Sequence, residues 1–132
     1  MQKLKKLAEI KTYKDLLIWQ NGILLAEHAY MLTNEFPTEE IYSLTSQIKR
    51  SAVSISSNIA EGYGRNSTKS YVNFLKIARG SLYELETQLI LAEKFNYISN
   101  KTLLNEVFLE IEVESKMLNS FIKKVDNINW IV

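Results

Sequence analysis

Residues 54–65 read SISSNIAEGYGR and bring together residue types that could do chemistry: serine, asparagine, glutamate and glycine. A serine is a nucleophile only with a base in reach, and the single histidine, His28, is expected toward the opposite end of the fold. Gly62 and Gly64 lack the third glycine of a dinucleotide-binding fingerprint and the Gly-Lys-Ser/Thr of a P-loop. The stretch therefore predicts the corner of a helical hairpin, with a glycine as its left-handed cap, rather than a catalytic or phosphate-binding loop.

The residue types and their spacing also argue against a metal or cofactor site. A di-iron bundle needs Glu-x-x-His pairs on two helices, and this chain has one histidine and no such pair. Glu110, Glu112 and Glu114 are interpreted as a solvated acidic surface. The chain has no cysteine, which excludes thiolate ligands and disulfides and fits a reducing cytoplasm. We expect no catalytic residue, no metal and no cofactor; an enzyme that uses Glu61, Glu84 and the serines is the least favoured alternative.

The elements that position these residues are predicted by apolar stripes with alternating steps of three and four residues. The clearest stripe runs from Tyr71 through Leu75 and Leu82 to Ala92. The 132 residues suit one domain, and no apolar run approaches the roughly 20 residues of a membrane span. The predicted helices cover residues 13–35, 39–61, 67–95 and 100–125, between a basic segment, 1–12, and an apolar tail, 127–132. Short breaks between long helices predict an all-α, up-down-up-down antiparallel four-helix bundle, with a long two-helix coiled coil as the alternative.

Charge is sorted along this predicted bundle. The half that holds the starts of the first and third helices carries 14 lysines and arginines against 4 acidic residues, and the other half carries 2 against 11. A basic end can steer onto nucleic-acid phosphates, and complementary halves can also serve head-to-tail self-association. The candidate nucleic-acid-binding residues are Lys49, Arg50, Arg65, Lys69, Lys76 and Arg79.

Aromatic side chains offer a second way to hold nucleic acid, by stacking on bases. At helical spacing such residues are more often part of a core or a subunit interface. Tyr63, between Gly62 and Gly64, is expected to be the most exposed of them. The aromatic residues weighed in this way are Trp19, Tyr63, Tyr71, Phe74 and Tyr83.

Two sequence blocks resemble the signature of the bacterial four-helix-bundle proteins encoded in 23S ribosomal RNA intervening sequences. The first block holds QIKR (47–50), AVSI (52–55), SNIAEG (57–62) and GR (64–65). The second holds FL (74–75), ARGS (78–81) and ELE (84–86). Asp15-Leu16, Trp19-Gln20 and Phe36-Pro37 fit as well, so the resemblance covers about residues 13–98 and, more loosely, the last helix.

The resemblance implies a small bundle that assembles as a ring, commonly a homopentamer, with no known enzymatic activity. A related branch, the accessory variability determinant of diversity-generating retroelements, binds nucleic acid and its reverse transcriptase. We therefore expect a cytoplasmic, non-enzymatic oligomer that associates with RNA or DNA, or with a protein acting on them. The alternative is a self-assembling protein–protein scaffold that binds no nucleic acid.

The motif residues themselves are expected to be structural. Asn58 and Glu61 should bind helix ends or the facing helix, with Arg65 as partner for Glu61. Gly80 and Ser81 should pack closely against the small residues of the second helix. The full set of structural-motif residues is Asn58, Glu61, Gly62, Gly64, Gly80, Ser81 and Glu84.

Overall fold

Four helices make up the fold in the computed structural model, which describes residues 10–131, with side chains as far as Ile128. Two short 3₁₀ turns, Tyr13–Asp15 and Thr38–Glu40, precede the first and second helices. No strand occurs in the described part, so the predicted all-α four-helix fold is confirmed. Within residues 10–131, no helix has the combined length and apolar content needed to cross a membrane. The helices are α1 (Leu17–Thr33), α2 (Leu44–Tyr63), α3 (Thr68–Lys94) and α4 (Lys101–Ile131).

Local hydrogen bonds explain where the helices begin. The Ser67 side chain accepts from the backbone N–H of Ser70 at the start of α3, as an N-cap does. At the start of α2, the Glu40 carboxylate accepts from the backbone N–H of Leu44. Because Thr38–Glu40 forms a tight 3₁₀ turn, α2 begins several residues later than the predicted residue 39.

The last helix is longer than its apolar stripe predicts. It continues to Ile131, so residues 127–131 extend α4 instead of forming a separate tail. Val125 is the last buried residue of the stripe, which is why the pattern predicts an end there although the backbone stays helical. The predicted basic segment lies outside the described residues over its first nine positions.

The helices enclose one apolar core, and their contacts run in opposite directions along neighbouring helices. Between α2 and α3, Ser54 contacts Ser81 and Ser51 contacts Gln88. Residue numbers therefore decrease along α2 as they increase along α3, which means that the two helices are antiparallel. The same reversal joins α3 to α4 and α4 to α1. These registers are compatible with the up-down-up-down bundle. Fully buried core residues come from all four helices: Leu25, Ile48, Ile55, Ile59, Leu75, Leu82, Leu85, Leu89, Leu104, Ile111 and Leu118.

The small residues of α2 allow close approach of both neighbouring helices. A Cβ at Gly22 of α1 would lie 3.4 Å from the Ser56 Cβ, so bulkier residues there would push the helices apart. Ser81 is buried and its hydroxyl lies 2.8 Å from that of Ser54, as expected for close packing. The expectation for Gly80 is wrong, because a Cβ there would meet nothing within 4 Å. One residue is a 100° step around a helix, which turns Gly80 to solvent when Ser81 faces α2.

At the corner between α2 and α3, glycine allows close packing because it has no side chain, and it does not adopt a left-handed conformation. No described glycine has positive φ, and Gly64 ends α2 with φ −79°, so the predicted left-handed glycine cap is wrong. Gly62 lies inside α2, where an added Cβ would lie 2.9 Å from side-chain atoms of Tyr71 and Phe74. The left-handed residue is Asn96, with φ 62°, in the break between α3 and α4.

Gly62→Ala is expected to destabilise the protein by about 1–3 kcal/mol, because two side chains and the Tyr71 carbonyl must move to admit one methyl group. Gly80→Ala is the matched control on the solvent face of α3. It should be neutral or stabilising by about 0.5–1 kcal/mol, since alanine favours the helix and meets no neighbour. Urea denaturation of both variants measures the difference. A Gly62→Ala variant that is as stable as the wild type, or more stable, would contradict the close packing at the corner.

Candidate nucleic-acid interface

The first half of α3 carries cations without acids. Between Glu61 and Glu84 the chain has no aspartate or glutamate. Within α3 this stretch contributes Lys69, Lys76 and Arg79, spaced by seven and three residues, which places them on one flank of the helix. Both lysines are exposed and Arg79 is half-buried. The third helix therefore presents a purely cationic flank along its first three turns.

The neighbouring helix continues this flank. The Arg79 guanidinium donates to Asn119 Oδ1 at 2.9 Å, which fixes the α4 residue that lies beside it. Lys123 is exposed and lies one helical turn beyond Asn119, so it shares the same side of α4. We name Lys69, Lys76, Arg79 and Lys123 the α3–α4 basic face.

Lys123 is a member that the sequence motifs did not single out. It belongs to the predicted basic half, but only the Arg79–Asn119 contact shows that it shares a face with α3. Lys116, one turn before, lies 3.4 Å from the Glu112 carboxylate. Lys116 is therefore less available to an external anion than Lys123.

Arg65 lies in the corner between α2 and α3. Its guanidinium donates to Glu61 Oε2 at 2.9 Å, the pair expected from the sequence, and it lies 4.5 Å from the centroid of the Phe74 ring. Phe74 faces α2, since it contacts the position of a Gly62 Cβ. Arg65 is thus tied to the α2–α3 corner and does not join the α3–α4 basic face.

Lys49 and Arg50 lie in the opposite half of the bundle from the basic end. Lys49 Nζ lies 4.9 Å from the centroid of the Tyr30 ring, and Tyr30 is in the last turn of α1. Their assignment to the basic end is therefore corrected, because α2 begins at Leu44 and both residues fall in its first half. Arg50 is exposed and stands apart from the α3–α4 basic face.

The motif residue Asn58 is held within α2. Its amide donates to the backbone carbonyl and to the hydroxyl of Ser54, both at 2.8 Å. Ser54 in turn contacts Ser81, so Asn58 supports the α2–α3 contact through Ser54 and makes none of its own across the helices. Glu84 is exposed on α3, at the end of the acid-free stretch.

Five aromatic residues form one cluster at the basic end of the bundle. Tyr63 meets Tyr13 and Tyr71 edge-on, with ring centroids 6.4 Å apart in each pair. Tyr13 also meets Trp19, and Tyr71 meets Phe121. Tyr63 is half-buried rather than exposed. Burial, with Tyr63 nearby, raises the pKa of Tyr71 to about 12, as expected for a phenol that is largely removed from water.

Tyr83 is an exposed aromatic beside the α3–α4 basic face. It lies one turn beyond Arg79, and its hydroxyl is 3.1 Å from the Ser115 hydroxyl. Hydrogen bonds from Ser115 and Asn119 lower its pKa from the ordinary tyrosine value. Tyr83 is 43% exposed beside the α3–α4 basic face.

The acidic residues of α4 differ from their predicted solvated surface at two positions. Glu110 is only partly exposed and its carboxylate meets His28. Glu114 is fully buried, because it follows Ile111 by three residues and precedes Leu118 by four, on the core side of α4. Burial raises its pKa to about 8, against a smaller lowering effect of the Asn21 hydrogen bond. The signal is present in this spacing, because Ile111, Glu114 and Leu118 follow the three- and four-residue steps of a core stripe. Glu112 is exposed, as expected.

The single histidine is engaged by a carboxylate of the last helix. His28 Nδ1 lies 2.6 Å from Glu110 Oε1, so the histidine is engaged by a carboxylate and not by a serine. Among residues 10–128, no three histidines, aspartates or glutamates are grouped to hold a metal ion.

The family model described as 23S rRNA-intervening sequence protein matches residues 14–120, which include α1, α2, α3 and most of α4. No curated protein matches the chain.

Proposed function

The chain belongs to the 23S rRNA-intervening sequence protein family, and from this premise we propose that it is a non-enzymatic, cytoplasmic nucleic-acid-binding protein. The α3–α4 basic face is the proposed contact surface, with RNA or DNA as the ligand. Phosphate contacts by lysine and arginine supply most of the affinity in such complexes and carry little sequence information.

The observation that supports the proposal most directly is the acid-free stretch of α3. Lys69, Lys76 and Arg79 project from it with no carboxylate between Glu61 and Glu84 to neutralise them. Arg79 is held by Asn119, so little side-chain entropy remains to be lost when it binds a phosphate. Lys69 and Arg79 are ten residues apart, about 15 Å along the helix, a span that several consecutive phosphates match.

Binding to a labelled structured RNA and to a DNA duplex over a salt series tests this proposal. With three to four phosphate contacts, log affinity should fall linearly with log salt, with a slope of about −3 for a duplex. A preference between the two ligands would identify the class of target. Absence of binding to both at low salt would contradict the proposal.

Self-association is the second candidate function, and exposed apolar residues favour it. Leu17, Leu24 and Met31 recur every seven residues along α1 and are 66%, 40% and 54% exposed. Leu109 and Val113 of α4 are 63% and 51% exposed. Apolar stripes of this kind on a monomer mark protein contacts, in line with the ring that the family resemblance implies. Light scattering in the binding buffer gives the subunit count: an oligomer that binds no nucleic acid would favour the scaffold role.

A further inference from the structure

Glu114 is a carboxyl group enclosed by the bundle with half of its hydrogen-bonding capacity unused. Its exposed fraction is 0%. Oε1 accepts from the Asn21 amide at 3.2 Å, and Oε2 has no partner among the described residues. A buried carboxylate with one neutral donor is far less stable than the same group in water.

The group sits in the seam between the first and last helices. Asn21 Nδ2 also donates to the backbone carbonyl of Glu110, at 3.2 Å. The side chain of Glu110, which lies one helical turn before Glu114, contacts His28 Nδ1 through its carboxylate. Within the described side chains, these are the hydrogen bonds that cross from α1 to α4. The polar contacts that close the bundle therefore converge on Glu110 and Glu114.

Among the residues that the structure describes, no cation is placed to offset a charge on Glu114. From α1 the groups facing it are Asn21, which cannot titrate, and His28, which is already paired with Glu110. Glu110, on its own helix, is a second acid. The buried polar residues of α2 and α3 are Thr45, Ser51, Ser56, Ser81 and Gln88, none of which carries a charge. An ionised Glu114 would therefore be an unpaired charge in the core.

We propose that the α1–α4 seam is a proton-dependent closure, in which packing of the two helices is favoured while Glu114 holds its proton. When the seam opens, Glu114 enters water and can release the proton. Closing the seam takes the proton up again, so a rising pH favours the open form.

The pH window follows from the two states of the group. In water its pKa is near the ordinary value of 4.5, and in the closed seam burial raises the pKa to about 8. Between these values only the open seam ionises Glu114, so opening becomes up to about tenfold easier per pH unit. Above about pH 8 the closed form ionises too, and the effect levels off.

Amide hydrogen exchange at pH 5.5 and 8.5, corrected for the intrinsic pH dependence of exchange, tests the closure. Protection of α1 and α4 peptides around Asn21 and Glu114 should fall roughly a hundredfold, while α2–α3 peptides around Ser54 and Ser81 change little. In Glu114→Gln the seam should keep its protection, because glutamine can accept from Asn21 and has no proton to lose. Glu112→Gln, an exposed site on the same helix, should behave as wild type.

Two results would overturn the proposal. One is the same loss of protection in wild type and Glu114→Gln, which would assign the effect to the His28–Glu110 pair. The other comes from the wild-type protein alone: a Glu114 carboxyl that titrates near 4.5 by carbon-13 NMR would mean that the seam does not hold the proton. This second measurement decides the matter even if the glutamine variant folds poorly.

Discussion

Glu114→Gln is expected to be about as stable as wild type at pH 5 and more stable by a few kcal/mol at pH 8. The glutamate has a pKa near 4.5 when unfolded and about 8 when folded, so the folded state binds its proton more tightly. Wild-type stability from this group is therefore full below pH 4.5 and is lost as the pH rises to about 8. Each pH unit in that window is worth up to about 1.4 kcal/mol.

Urea denaturation at pH 5, 6.5 and 8 measures this difference, with Glu112→Gln as the control for removing one carboxylate from α4. Glu112 is exposed, so its variant should follow the wild-type curve. Parallel curves for wild type and Glu114→Gln would show that Glu114 has an ordinary pKa in the folded protein. Global unfolding and local seam opening are separate readouts, because the hydrogen-exchange experiment compares α1–α4 with α2–α3 in the same sample.

The helices were predictable because apolar side chains recur at the helical period. The predicted stripe in α3 runs from Tyr71 to Ala92. Its residues Leu75, Leu82 and Ala92 are fully buried. Helix ends were less predictable, since they depend on single hydrogen bonds. The Glu40 carboxylate accepts a hydrogen bond from the backbone N–H of Leu44 at the start of α2. The periodic pattern of apolar residues does not predict this contact.

The candidate site was only partly predictable, because assigning a residue to one end of a bundle requires the exact helix bounds. With α2 starting five residues later than predicted, Lys49 falls beside Tyr30 and away from the basic end. Arg65 was expected both to pair with Glu61 and to join a phosphate-binding face, and the structure shows the first. Lys123 joined the face only once the Arg79–Asn119 contact fixed the register of α4 on α3.

Glu114 shows why an acidic residue can mislead a sequence interpretation. Acidic side chains are almost never fully buried without a charged partner, so treating Glu110, Glu112 and Glu114 as one solvated group was the natural choice. The spacing from Ile111 and Leu118 contradicts it for Glu114, and the contact with His28 contradicts it for Glu110. At Glu114 the residue type predicts exposure and the periodicity predicts burial. The structure agrees with the periodicity.

Reversing two charges on the α3–α4 basic face, Lys69→Glu with Lys76→Glu, is expected to weaken nucleic-acid binding about a hundredfold at moderate salt. The change removes two phosphate contacts and adds two repulsive charges, and the salt slope should become shallower by about 2. Both side chains are exposed, so circular dichroism should show an unchanged helical content. Fluorescence anisotropy with the same labelled duplex measures the affinity.

The matched control for this variant is Lys94→Glu with Lys101→Glu, which alters the net charge equally at the far end of α3 and the start of α4. Both lysines are exposed and stand among acidic residues, with Lys101 Nζ 3.8 Å from Glu93. If a localised face binds phosphate, the control should lose little affinity and keep the wild-type salt slope. Equal losses in the two variants would mean that net charge alone attracts the nucleic acid, and the α3–α4 basic face would then have no special role.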